Sequence, residues 1–63
     1  MPIMQVFLLE GRTEEQKRRL IGALTDAAVE AIDVPREAVR VVLTEMPKGH
    51  FGIGGRTAAE LGR

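Results

Sequence analysis

The chain has no cysteine and no serine, a single histidine, no tryptophan or tyrosine, and two phenylalanines among its 63 residues. Without cysteine there is neither a disulfide framework nor a thiolate metal site, and one histidine cannot assemble a zinc tetrad. The serine and cysteine nucleophiles of acyl-transfer sites are missing as well. Nine basic residues balance nine acidic ones, so the chain lacks the basic stripe that supplies most nucleic-acid affinity, and two phenylalanines make no base-stacking platform. The apolar run Val6-Phe7-Leu8-Leu9 falls far short of the ~20 residues that span a bilayer. These absences set aside nucleic-acid and membrane partners and lead us to expect a soluble, cytoplasmic protein.

What the chain does contain is apolar surface. Its length fits one domain, residues 1–63. A domain of about 60 residues buries only roughly 60% of the surface its unfolded chain exposes, yet 44% of these residues are hydrophobic and only 3% aromatic. With no cross-link, no metal and few bulky core groups, self-association is the remaining route to a stable core.

From Pro2 to Leu9 the chain is nearly continuous in apolar residues and is bounded by Glu10-Gly11-Arg12, the pattern of a strand buried on both faces in a parallel sheet. Thr13-Glu14-Glu15-Gln16 matches a capping box that starts a helix. Leu20, Ile21, Leu24, Ala27, Ala28, Ala31 and Ile32 recur at three- and four-residue steps, and Glu14, Lys17, Arg18, Asp26 and Glu30 fall mainly on the other side. Asp33-Val34-Pro35 ends that helix, because proline disfavours helical backbone in the residue before it. Ala38 to Thr44 is rich in β-branched residues and too short for a typical helix, and reads as a second strand.

Strand, helix and strand make a βαβ unit of the α/β (α+β) class, with parallel strands and a right-handed crossover. Nineteen helical residues at ~1.5 Å span about 28 Å and eight strand residues at ~3.3 Å about 26 Å, so the helix covers one face of the sheet. No second long helix exists for the other face, which leaves it to another subunit. Four glycines fall within Gly49–Gly55, giving an irregular or hairpin arm, and weak helical character follows over Arg56–Arg63.

Few residues are candidates for chemistry. His50 sits among glycines without an orienting partner and reads as a solvated loop residue. The glycine tract lacks the Gly-Lys-Ser/Thr ending of a phosphate loop. Pro2 stands out because removal of the initiator Met would leave a free secondary amine at the start of an apolar strand. An α-amino group normally titrates near 7.7–8.0 and a ring amine is more basic, but burial and nearby guanidinium groups both lower that value. A two-unit drop costs about 2.7 kcal/mol, within the means of two arginines beside an apolar pocket. On composition alone the favoured reading of Pro2 is that it merely opens an edge strand, where no amide donor is needed. Arg40 interrupts an apolar strand between Val39 and Val41, where it either points to solvent from an edge or awaits an anion. Arg12 follows the first strand at the end where α/β sheets tend to bind ligands, although taken alone it reads more readily as a loop charge. Phe51 is a core residue or a pocket wall.

Taken together, Pro2-Ile3, Glu10-Gly11-Arg12, Glu15-Gln16-Lys17, Val39-Arg40-Val41, Thr44-Glu45-Met46 and the run from Lys48 to Gly55 resemble the 4-oxalocrotonate tautomerase family along the whole chain. The resemblance implies a homohexamer, three dimers each built around a four-stranded sheet. It also implies proton-shift chemistry on an unsaturated 2-hydroxy or 2-oxo dicarboxylate such as 2-hydroxymuconate, without cofactor or metal. Pro2 would be the base. Arg40 from a neighbouring subunit would hold the 2-oxo and adjacent carboxylate oxygens, Arg12 would hold the far carboxylate, and Phe51, Leu9 and Ile53 would keep the site dry. Ala38 stands where the best-known members carry a hydroxyl, and Ile53 stands near the water-activating carboxylate of the dehalogenase branch, which favours isomerisation over hydration. If Met1 is retained, it acylates the amine and removes the base. The other reading is a non-catalytic oligomeric module that binds a carboxylate ligand or a partner in the same pocket.

Overall fold

A computed structural model of the chain describes all residues, Met1–Arg63. Strand β1 is Ile3–Leu9, helix α1 is Glu14–Ile32, strand β2 is Arg40–Met46, and a small hairpin follows, β3 (Gly52–Ile53) with β4 (Arg56–Thr57). β1 and β2 pair in parallel from Ile3↔Arg40 to Leu9↔Met46. Backbone bonds extend the ladder past both ends, from Arg40 N–H to the Pro2 carbonyl at 3.0 Å and from Glu10 N–H to the Met46 carbonyl at 2.9 Å.

The helix begins as its capping box dictates. The Thr13 hydroxyl accepts from Gln16 N–H at 3.1 Å, and the Gln16 amide oxygen accepts from Thr13 N–H at 2.9 Å, so two amide donors that the first turn leaves free are satisfied reciprocally. At the other end Asp33 takes a left-handed backbone, φ 55°, and Val34-Pro35 cannot resume a helix.

Two expectations need adjusting. The second strand does not begin at Ala38. Pro35 leads into a 3₁₀ turn over Arg36–Ala38, where Ala38 N–H donates to the Pro35 carbonyl and Val39 N–H to that of Arg36, both at 3.0 Å. Those amides are committed locally, and the ladder starts at Arg40 and runs on through Glu45 and Met46. The tail after Gly55 is not helical. Gly54 and Gly55 both adopt positive φ, 61° and 86°, the backbone that a two-residue hairpin turn requires, so Arg56 and Thr57 pair back onto Gly52 and Ile53. As expected, a single copy covers the sheet on one side only. Met4, Val6 and Leu8 are half-buried on one side, whereas Ile3, Phe7 and Val42 remain 67%, 60% and 47% exposed on the other.

Only Val39 and Ala58 are buried in the single chain. The molecule measures 42 × 24 × 14 Å, so it is one helix laid on one narrow sheet, with no closed core of its own. The apolar face that the sequence leaves without cover is bare in the fold.

Candidate active site

The sequence candidates fall at two ends of the sheet. At the N-terminal end of the strands, half-buried Pro2 lies beside Arg40, joined by the backbone bond from Arg40 to the Pro2 carbonyl. Arg40 is exposed, its guanidinium donates to the Glu37 carbonyl, and it pairs with no carboxylate. Alternation along β2 puts Arg40 on the same bare face as Val42, so the guanidinium is presented to whatever covers that face. Ala38 closes the 3₁₀ turn two residues earlier. Met1 is 78% exposed, and its removal would uncover the Pro2 nitrogen without emptying any packed volume.

At the opposite end, Gly11 turns the chain out of β1 with φ 125°, a conformation that side chains rarely adopt, and delivers Arg12. A cavity of about 370 Å³ opens there between Phe7, Leu9, Glu10, Arg12, Lys48 and Arg63. Seven strand residues at ~3.3 Å separate the two ends by about 23 Å, so Pro2 and Arg12 of one chain cannot serve one small molecule. Phe51 and Ile53 do not line the cavity; they sit on the arm, where the Phe51 carbonyl accepts from Ala58 N–H at 2.8 Å and the Phe51 ring is 41% exposed.

Three residues matter here that sequence reasoning passed over. Lys48 and Arg63 line the cavity but belong to no periodic pattern, one following a turn proline and the other ending the chain. Lys17 counted only as part of a wet helix face, yet its ammonium lies 2.7 Å from Glu14 and 3.0 Å from Glu45. That bridge ties the first turn of α1 to the end of β2. Hydrogen bonding and attraction to Lys17 lower the Glu14 carboxyl below its ordinary value, and the bonds to Glu14 and Glu45 raise Lys17 above its own. His50 is exposed, as expected, and no three histidine or acidic side chains gather where a metal could be held.

The sequence profile of the family described as tautomerase enzyme matches residues 2–60. The chain is also 54% identical over 63 residues, all of both chains, to 2-hydroxymuconate tautomerase of Pseudomonas putida. The chain belongs to the tautomerase family. Among solved structures, TomN, a 4-oxalocrotonate tautomerase homologue in the tomaymycin biosynthetic pathway, superposes with a TM-score of 0.92 at 46% identity, covering 94% of this chain and 91% of TomN. A heterohexameric 4-oxalocrotonate tautomerase from Chloroflexus aurantiacus J-10-fl gives a TM-score of 0.92 at 44% identity, covering 97% of this chain and 98% of the other. The βαβ unit with parallel strands and an antiparallel arm is therefore the fold of that group. As a tautomerase the protein is an isomerase, moving a proton within a small molecule.

Proposed function

We propose that the protein isomerises an unsaturated 2-hydroxy dicarboxylate such as 2-hydroxymuconate, with the amine of Pro2, freed by loss of Met1, as the base. The amine takes the proton of the 2-hydroxyl. The O–H electron pair becomes the C2=O bond, C2=C3 shifts to C3=C4, and the C4=C5 pair accepts the proton at C5, so the product is an isomer with nothing gained or lost. Arg40 meets the 2-oxygen and the adjacent carboxylate, where negative charge develops, and Arg12 meets the far carboxylate; fixed cations placed at developing charge are the strongest aid a small site can supply. Leu9, Phe51 and Ile53 exclude water, which disfavours the ammonium form of Pro2. The scheme needs neither metal nor cofactor.

The observation that carries this reading is the split of the candidates between the two sheet ends. A two-fold axis perpendicular to the sheet reverses one copy against the other, so the Pro2 end of one chain lies beside the Arg12 end of the next. The two-stranded sheet becomes four-stranded, and its bare face, bearing Arg40, is left to further dimers. The end point is a hexamer of three dimers, with Arg40 reaching the site from a neighbour. The 2-hydroxymuconate activity of the P. putida relative and the hexameric state of the C. aurantiacus relative support the same assignment.

Intact mass of the mature protein, together with turnover of 2-hydroxymuconate by Pro2→Ala and Arg40→Ala, tests it. We expect Met1 to be absent and both variants to lose about 10²–10³-fold in kcat while keeping their oligomeric state. Retained Met1 with full turnover would refute the proline base.

A further inference from the structure

The cavity at the end of β1 carries more positive charge than one arginine supplies. Arg12, Lys48 and Arg63 all line it, against a single acidic side chain, Glu10. None of the three cations has an ion-pair partner in the chain, although four other basic residues, Lys17, Arg18, Arg36 and Arg56, make five ion pairs with carboxylates elsewhere on it. The side chains of the lining are net positive, and Phe7 and Leu9 give it an apolar wall. Unpaired cations around a partly apolar cavity focus potential on an entering anion.

Separate backbone hydrogen bonds hold the segments that carry the two additional cations. Lys48 opens the 3₁₀ turn Lys48–His50 directly after Pro47, and its carbonyl accepts from Ala59 N–H at 3.3 Å. The tail is closed by a reciprocal lock. The Glu60 carboxylate accepts from Thr57 N–H at 3.2 Å and from its hydroxyl at 3.1 Å, and the Thr57 oxygen accepts from Glu60 N–H at 3.1 Å. Arg63 N–H then donates at 2.9 Å to the carbonyl of Ala58, which is wholly buried. The last residue is thus held in place against the cavity.

We propose that Lys48 and Arg63 are substrate-binding residues that complete, with Arg12, a three-cation cup selecting enols with a second carboxylate far from the reacting hydroxyl. The placement of the reaction rests on the proline-base reading above; the cup itself does not. A dianion spanning the site gains from this potential at its far end, whereas a mono-acid leaves the cup empty, and the gain shrinks as salt screens it over a Debye length of about 8 Å at physiological ionic strength.

The test compares Lys48→Ala, Arg63→Ala and Arg63→Lys with the unmodified oligomer on 2-hydroxymuconate and on phenylenolpyruvate, with calorimetric binding of adipate and hexanoate to the same four proteins. In each alanine variant the ratio of kcat/KM for the diacid to that for the mono-acid is expected to fall about tenfold, mainly through KM. Arg63→Lys should keep most of it. Adipate affinity should weaken about tenfold, and far more than that of hexanoate. A ratio within twofold of the unmodified protein in both alanine variants would overturn the cup. If the unmodified protein turned over neither enol, the proposed reaction would fail, and calorimetry would still decide the cup, because adipate binding no tighter than hexanoate would overturn it.

Discussion

At Pro2 the proposed chemistry depends on one nitrogen. Its ordinary environment would leave it mostly protonated at neutral pH, so a base near the operating pH needs the depressed value that a dry niche and two guanidinium groups produce. The rising limb of kcat/KM against pH reports the free enzyme's base, and its midpoint is expected below the ordinary α-amino range of roughly 7.7–8.0. A midpoint above that range would mean that the niche is wet. Asp33 offers a test unrelated to chemistry. It holds φ 55° at the end of a helix whose last turn has no basic residue, so its backbone is strained and its charge opposes the helix dipole. Asp33→Gly should raise unfolding stability by about 1 kcal/mol in denaturant titration. Pro2 and Arg40 stood out in the sequence because each is chemically odd where it stands, and Arg12 by its place at the end of the first strand. Lys48 and Arg63 did not, since a cation after a turn and another at a chain end look like ordinary solvated charges until the tail folds back.

Among the elements, α1 was the most legible because its signals are local: a capping box within four residues, a regular apolar stripe and a proline stop. Thr13→Ala should cost about 1 kcal/mol, read as a lower denaturant midpoint at unchanged slope. The start of β2 was less legible. β-branched composition drew the strand back to Ala38, but Pro35 favours a local turn whose hydrogen bonds take the amides first. The Lys17 bridge joins residues 28 apart in sequence, beyond any periodicity. Its pH dependence follows from the two shifts. The lowered Glu14 contributes stability above its unfolded value of about 4.5, lost as pH falls through its folded value; the raised Lys17 contributes below about 10.5, lost as pH rises through its own. Lys17→Met should therefore flatten stability at both the acidic and the alkaline margins, and the difference from the parent should fade at high salt. Equal pH profiles for the two proteins would remove the bridge from the account.

For the molecule as a whole, the dimensions speak against independence. A chain of this length packed as a globule has a radius of gyration of about 11 Å, whereas this one is 14.6 Å with two buried residues. The bare face of Ile3, Phe7 and Val42 and the reach of the arm are the geometry of a subunit, and sedimentation at micromolar concentration should show an oligomer and no stable monomer. The need for partners was already legible in the balance of length against apolar content. That Pro2 and Arg12 of one chain stand too far apart to share one small molecule was not, because the 23 Å or so between them, seven residues of strand at ~3.3 Å, emerges only once both ends of the sheet are placed. The most direct measurement of that shared site mixes two inactive variants, Pro2→Ala and Arg12→Ala, by co-refolding at equal amounts. If each site takes its proline from one chain and Arg12 from another, random pairing restores about a quarter of the sites to full composition, and activity should return to about that level; no activity above that of the separate variants would contradict the account.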